Sequence, residues 1–107
     1  MRETQNLLHH FYSWVDQIIL DLSSMVVRIR RSMQGDSMQQ KPFDVARLGR
    51  IEIILHEMIQ QAMAWKGHPD AVRALWTKAP QAMTQEMHLF DRTVYSLQKS
   101  FISSIDS

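Results

Sequence analysis

The stretch "LHHFYSWVDQIILDLSSMVVRIRRSM" at residues 8–33 decides the fold, because its apolar residues recur every three or four positions. One row consists of Leu8, Phe11, Val15, Ile18, Leu22, Met25 and Ile29, and a second row beside it adds Tyr12, Ile19, Val26 and Met33. At about 100° per residue the two rows merge into one apolar arc of roughly 160°. We therefore predict one long helix over residues 4–33 that contacts two or more other helices.

Three further apolar stripes follow along the chain. They consist of Leu48, Ile51, Leu55, Met58, Ala62 and Trp65, then of Ala71, Val72, Leu75 and Trp76, and finally of Met83, Met87, Phe90, Val94, Leu97, Phe101 and Ile105. Asp44 is a candidate N-cap for the first of these helices, Gly67 and Pro69 suit its end, and Pro80 suits the start of the last. The predicted helices cover residues 44–66, 70–79 and 81–105.

No segment alternates with the period of two that is typical of a β-strand. The sequence therefore predicts the all-α class, with three long helices and one short helix in a bundle. The near-heptad spacing favours coiled-coil-like packing at shallow crossing angles. A length of 107 residues predicts a single domain over residues 1–107.

Composition narrows the classes of function. The net charge of +1 provides no strong field for nucleic acid or an anionic membrane. The chain has no cysteine, which excludes disulfides and thiolate chemistry. Asp16 and Asp21 interrupt the first apolar run, so we expect neither a signal peptide nor membrane insertion. We expect a soluble, cytoplasmic protein without a metal or another cofactor.

The first helix has more apolar surface than the other two long helices obviously cover. Either it occupies the centre of a three- or four-helix bundle, or it forms a dimer or partner interface, and the two explanations are compatible. Leu7 and Trp14 flank its main stripe, whereas Leu20 and Val27 fall outside the stripe. We predict that these four residues form a surface for a second copy or for a helix of another protein. The corresponding function is that of a small non-enzymatic adaptor, dedicated chaperone or inhibitor of a larger partner.

A basic cluster supports an alternative function that is directed at nucleic acid. Arg28, Arg30 and Arg31 form the only dense group of positive charge in the sequence. A regulator that binds nucleic acid needs such residues on one continuous face. On a helix the three arginines spread around the axis, and positive charge near a helix C-terminus is favourable in itself.

Arg50 and His56 offer a second form of this alternative. Their spacing resembles the Arg-x4-6-His signature of the HEPN family, helical proteins that include ribonucleases and often dimerise. The resemblance implies that Arg50 and His56 act as a catalytic pair on an RNA phosphodiester. It covers these two positions only, and Ile51 stands where the family typically has a polar residue.

Two other motifs lie in the same helix. His56-Glu57 begins like the zinc motif His-Glu-x-x-His, but Gln60 stands where the second ligand belongs. Trp65-Lys66-Gly67 resembles the Trp-x-Gly turn of small helical-hairpin secretion substrates. That motif continues with a downstream Tyr-x-x-x-Asp/Glu, whereas Tyr95 is followed four residues later by Lys99. We therefore predict a core helix, with Glu52–His56 and His88–Asp91 as surface side-chain pairs.

Overall fold

The computed structural model describes residues 2–34 and 42–106, and these ranges contain four α-helices and no strand. Helix α1 spans Arg2–Gln34, α2 spans Pro42–Gly67, α3 spans Pro69–Lys78 and α4 spans Pro80–Asp106. The prediction of an all-α chain with three long helices and one short helix is confirmed.

Proline and glycine mark most of the helix ends. Helix α2 ends at Gly67, and α3 and α4 begin at Pro69 and Pro80, where the missing proline N–H costs no helical hydrogen bond. Helix α2 begins at Pro42, two residues before the predicted start. Asp44 therefore lies within the first turn of α2 and is not its N-cap.

Two ion pairs fix the register between α1 and α2. Lys66 Nζ lies 2.7 Å from Asp16 Oδ1, and Arg30 Nε lies 3.0 Å from Glu52 Oε1. Because the α2 residue number falls as the α1 number rises, the two helices run antiparallel. The molecule measures 57 × 21 × 16 Å, so the long helices lie side by side in an elongated bundle.

Helix α4 runs parallel to α1 on the other flank. Near the start of the pair, Trp14 Nε1 donates a hydrogen bond of 3.0 Å to Asp91 Oδ1. Two turns before the end of α1, the Arg28 guanidinium lies 5.2 Å from the centre of the Phe101 ring. Helices α2 and α4 also contact each other, so the three long helices pack in a triangle in which α1 touches both of the others.

The core confirms the apolar stripes of the long helices, except that Met87 is only partly buried and the side chain of Ile105 lies outside the described residues. Its buried residues include Leu8, Phe11, Val15, Ile18, Leu22, Met25, Val26 and Ile29 of α1, Leu48, Ile51, Leu55, Met58, Ala62 and Trp65 of α2, and Met83, Phe90, Val94, Leu97 and Phe101 of α4. The predicted stripe of α3 is wrong at Ala71 and Leu75, which are exposed, while Val72 and Trp76 are buried. A helix of ten residues covers the end of the bundle with one narrow side, and Leu75 lies beyond it.

Aromatic rings fill the end of the bundle where the four helices meet. Phe11 lies at the centre of this cluster, with the rings of Trp65 and Trp76 at 5.3 and 5.6 Å between centroids. Phe90 of α4 completes the group, 5.0 Å from Trp65. Edge-to-face and tilted pairs at such distances contribute about 0.5–1.5 kcal/mol each beyond their buried area. The cluster therefore anchors this end of α1.

Candidate interaction surface

Helix α1 carries apolar side chains on the side opposite the core. Leu20 comes nine residues after Phe11, and Val27 comes nine after Ile18, a separation of about 180° around a helix. Leu20 and Val27 are 62% and 49% exposed. We call the surface formed by Asp16, Leu20, Ser24, Val27 and Arg31 the outer face of α1. A shallow groove on it is lined by Leu20, Ser23, Ser24, Val27 and Arg28.

Leu7 and Trp14, the other two predicted contact residues, lie elsewhere. Leu7 is thirteen residues before Leu20, which places it about 140° around the helix. It is 39% exposed and lines a different groove with Trp76 and Pro80, at the start of α4. The structure therefore divides the four predicted residues between two surfaces.

Trp14 has its contacts within the monomer. Its indole packs against the rings of Phe11, Trp65 and Phe90, with centroids 5.8, 6.0 and 5.8 Å away. Its N–H donates to Asp91, as described above. Trp14 is thus partly buried on the flank of α1 that faces α4, and it is separated from Leu20 and Val27.

The three arginines of the basic cluster point to three sides of α1. Arg30 lies on the α2 flank with Glu52, and Arg28 lies on the α4 flank over the Phe101 ring. Arg31 is exposed on the outer face between them. The structure does not join these guanidinium groups into one continuous basic face.

Arg50 and His56 are not brought together in the monomer. Residues six apart differ by about 120° around a helix, and Arg50 is exposed away from the α1 contact. His56 Nε2 lies 3.3 Å from Arg30 Nη2 and 3.5 Å from Glu52 Oε1. The His56 ring therefore belongs to an ion-pair group between α1 and α2.

Glu52 is the centre of that group. The hydrogen bond from the Arg30 guanidinium lowers the pKa of the Glu52 carboxyl below its ordinary value, burial opposes this shift, and the hydrogen bond from His56 adds to it. The Glu52 side chain keeps 21% of its surface exposed and Arg30 keeps 57%. This arrangement links two helices through charge.

The predicted surface pairs have different outcomes. Glu52 and His56 are in contact, as expected. Asp91, the expected partner of His88, instead accepts the hydrogen bond from Trp14. Over the described residues, no group of three or more His, Cys, Asp or Glu side chains is arranged to hold a metal ion.

Sequence reasoning missed the contacts that join the helices. Lys66 is 50 residues from Asp16 along the chain, and no local pattern predicts which charges meet across a helix pair. Another missed feature is Trp76, whose indole N–H is buried without a hydrogen-bond partner. An unpaired buried donor follows from tertiary packing alone, so the sequence contains no signal for it.

No protein-family model matches the chain, and no curated protein or solved structure shows significant similarity to it. Among the helices of residues 2–34 and 42–106, none carries an apolar stretch long enough to cross a lipid bilayer.

Proposed function

We propose that this protein is a non-enzymatic binding protein of the cytoplasm, working as an adaptor, dedicated chaperone or inhibitor. It acts through the outer face of α1, which packs against a second copy or against an apolar helix face of another protein. The observation that supports this function is the exposure of Leu20 and Val27 on the side of α1 that faces away from the core.

The arrangement of these two residues matters more than their number. Single apolar side chains on a surface are ordinary and need no partner. Leu20 and Val27, however, are seven residues apart, so they lie within about 20° of each other around α1 and about 10 Å apart along it. Apolar anchors at positions i and i+7 are the pattern by which a helix docks on a partner. Burying a Leu or Val side chain contributes about 1.5–3 kcal/mol when the burial is complete.

The test is a double substitution, Leu20→Asp with Val27→Asp. Both positions are exposed in the monomer, so the variant keeps its helical circular dichroism and its melting temperature within a few degrees. The wild-type protein binds a partner, either itself in sedimentation experiments or another protein in affinity capture from the native cell. The double variant loses that binding, because each new carboxylate must be desolvated in the contact.

Leu89→Asp is the matched control. Leu89 is 56% exposed on α4, so the substitution introduces one such carboxylate at a similarly exposed leucine outside the outer face. Binding that survives Leu89→Asp and is lost in the double variant supports the proposed function. Binding that is equal in all three proteins contradicts it, since the outer face of α1 then takes no part.

A further inference from the structure

Charged residues lie on the outer face of α1 and along its α4-side edge, and their sign differs between the two ends of the helix. Asp16 and Asp21 lie in its N-terminal half, and Arg28 and Arg31 lie in its C-terminal half. The two exposed apolar side chains lie between them, next to the shallow groove with Ser24 at its middle. The side chains of α1 on this side are thus acidic, then apolar, then basic along the helix, with Lys66 of α2 paired to Asp16 at the acidic end.

We propose that a second copy of the chain covers this face, with the two α1 helices antiparallel about a twofold axis that passes near Ser24. This inference rests on the proposed function, and it names the partner and the geometry. A twofold contact is isologous, meaning that the same patch on both copies must be complementary to itself. A surface with opposite charges at its two ends meets this requirement when one copy is reversed.

The apolar centre satisfies the same symmetry. An axis midway between Leu20 and Val27, at the level of Ser23 and Ser24, brings Leu20 to the level of the partner's Val27. The operation brings Val27 to the level of the partner's Leu20. The two serines at the axis are small, so the helices approach closely there and the larger side chains enclose the contact.

The charged residues pair under this operation. Asp16 is four residues before Leu20 and Arg31 is four residues after Val27, so Asp16 comes level with the partner's Arg31. Asp21 and Arg28 share the α4-side edge, and Asp21 comes within two residues, about 3 Å along the axis, of the partner's Arg28. The Asp16 carboxylate already accepts a hydrogen bond from Lys66, and a carboxylate has acceptor capacity for a second donor.

A parallel arrangement of the two α1 helices is unfavourable because of the same charged residues. It brings Asp16 next to the partner's Asp16 and Arg31 next to the partner's Arg31, so every charged position meets its own sign. Like charges facing each other across a contact oppose association. Charge complementarity therefore selects the antiparallel dimer.

The area of the outer face limits the affinity of the dimer. Stable complexes bury about 800 Å² on each partner, and two half-exposed aliphatic side chains with their polar neighbours provide much less. We expect a reversible dimer with a dissociation constant weaker than about 1 μM. Its affinity falls as salt is raised, because exposed ion pairs are screened.

The first experiment uses the absence of cysteine from the chain. Ser24→Cys places a single thiol next to the proposed axis, where two copies bring their Cα atoms toward the 4.4–6.8 Å range of a disulfide. Ser96→Cys, at an exposed position on α4, is the control. We expect mild oxidation to cross-link the Ser24→Cys protein at least tenfold faster than the Ser96→Cys protein. Equal rates overturn the geometry.

The second experiment reverses the charges. Arg31→Asp places a second carboxylate opposite the partner's Asp16, and the two negative charges repel. We therefore expect the dimer dissociation constant in sedimentation equilibrium to rise about tenfold. Adding Asp16→Arg and Lys66→Asp in the same chain restores the pairing across the dimer with exchanged signs, keeps an ion pair between α1 and α2, and returns the constant to near the wild-type value. If this triple variant is as weak as Arg31→Asp alone, the antiparallel pairing is overturned.

These results separate the dimer from the broader function. If neither the cross-link nor the charge reversal behaves as described, while Leu20→Asp with Val27→Asp still abolishes capture of another protein, then the second copy is the wrong partner and the proposed function holds. If the double aspartate variant also binds normally, both proposals fail together.

Discussion

The inner and outer faces of α1 contain the same kinds of residue and have opposite environments. Phe11, Val15 and Leu22 on the inner face are completely buried. Leu20 and Val27, on the other side of the same helix, keep about half of their surface in water. Residue type along the sequence does not distinguish the two groups, whereas position around the helix does. The difference teaches that the inner face determines stability, whereas the outer face contributes little to the packing of the monomer.

The largest expected effect comes from breaking the inner face at the aromatic end. Phe11→Ala removes the ring at the centre of the cluster and leaves a cavity, so we expect the free energy of unfolding to fall by about 3–5 kcal/mol. Leu20→Ala removes a side chain that the monomer does not bury, so its effect lies within about 0.5 kcal/mol. Urea denaturation of both variants measures the contrast.

One result for Leu20→Ala would contradict the assignment of Leu20 to an exposed surface. If Leu20→Ala destabilises the dilute protein by several kcal/mol, the outer face is packed in the folded monomer and is not a free surface. Measuring at two protein concentrations separates the monomer from any dimer, because the apparent stability of a dimer depends on concentration.

Much of the contrast between the inner and outer faces of α1 could be predicted from the sequence, because it depends on the spacing of the apolar residues. The stripes of α1, α2 and α4 follow from steps of three and four, and the same count excludes Leu20 and Val27 from the stripe. Trp14 shows where this reasoning stops. It flanks the stripe as Leu7 does, yet packing against Phe90 and hydrogen bonding to Asp91 cover it within the monomer. Which flank a neighbouring helix covers is a property of the tertiary arrangement, and one helix does not encode it.

The second prediction concerns that boundary between the faces. A double-mutant cycle with Trp14→Phe and Asp91→Ala isolates the indole N–H bond to the carboxylate, since phenylalanine keeps an aromatic ring in the cluster. We expect a coupling energy of about 1 kcal/mol in the free energy of unfolding of the monomer. If the coupling energy is near zero and Trp14→Phe also associates more weakly, Trp14 belongs to the interaction surface and not to the packing of the monomer.

The ion pairs between α1 and α2 could not be predicted from the sequence, for a related reason. Asp16, Arg30, Glu52 and Lys66 are ordinary surface residues in local sequence, and their pairing appears only once the antiparallel register is known. The same register accounts for the surroundings of His56. Its ring lies next to Glu52 of its own helix, a contact that the sequence predicts, and next to Arg30 of α1, which no local spacing indicates.

The smallest effect is expected at the edge between the faces, where Arg30 reaches Glu52. The hydrogen bond from Arg30 lowers the pKa of Glu52 in the folded state, so the folded carboxyl loses its charge at a lower pH than the unfolded one. This stabilisation is present above the unfolded pKa of about 4.3 and is lost as the pH falls through the lower folded value. Glu52→Gln therefore destabilises the protein by about 0.2–1 kcal/mol at neutral pH, and the difference shrinks toward zero as the pH falls below about 4.

Urea denaturation of the wild type and of Glu52→Gln across this pH range measures the difference. Glu57→Gln is the control, because Glu57 is exposed about 140° farther around α2, away from Arg30. If the Glu52→Gln difference persists unchanged at low pH, it arises from packing of the side chain and not from its charge. The contact between Arg30 and Glu52 would then be part of the buried packing between α1 and α2. The exposed surface of α1 would consist only of Leu20, Val27 and their charged neighbours.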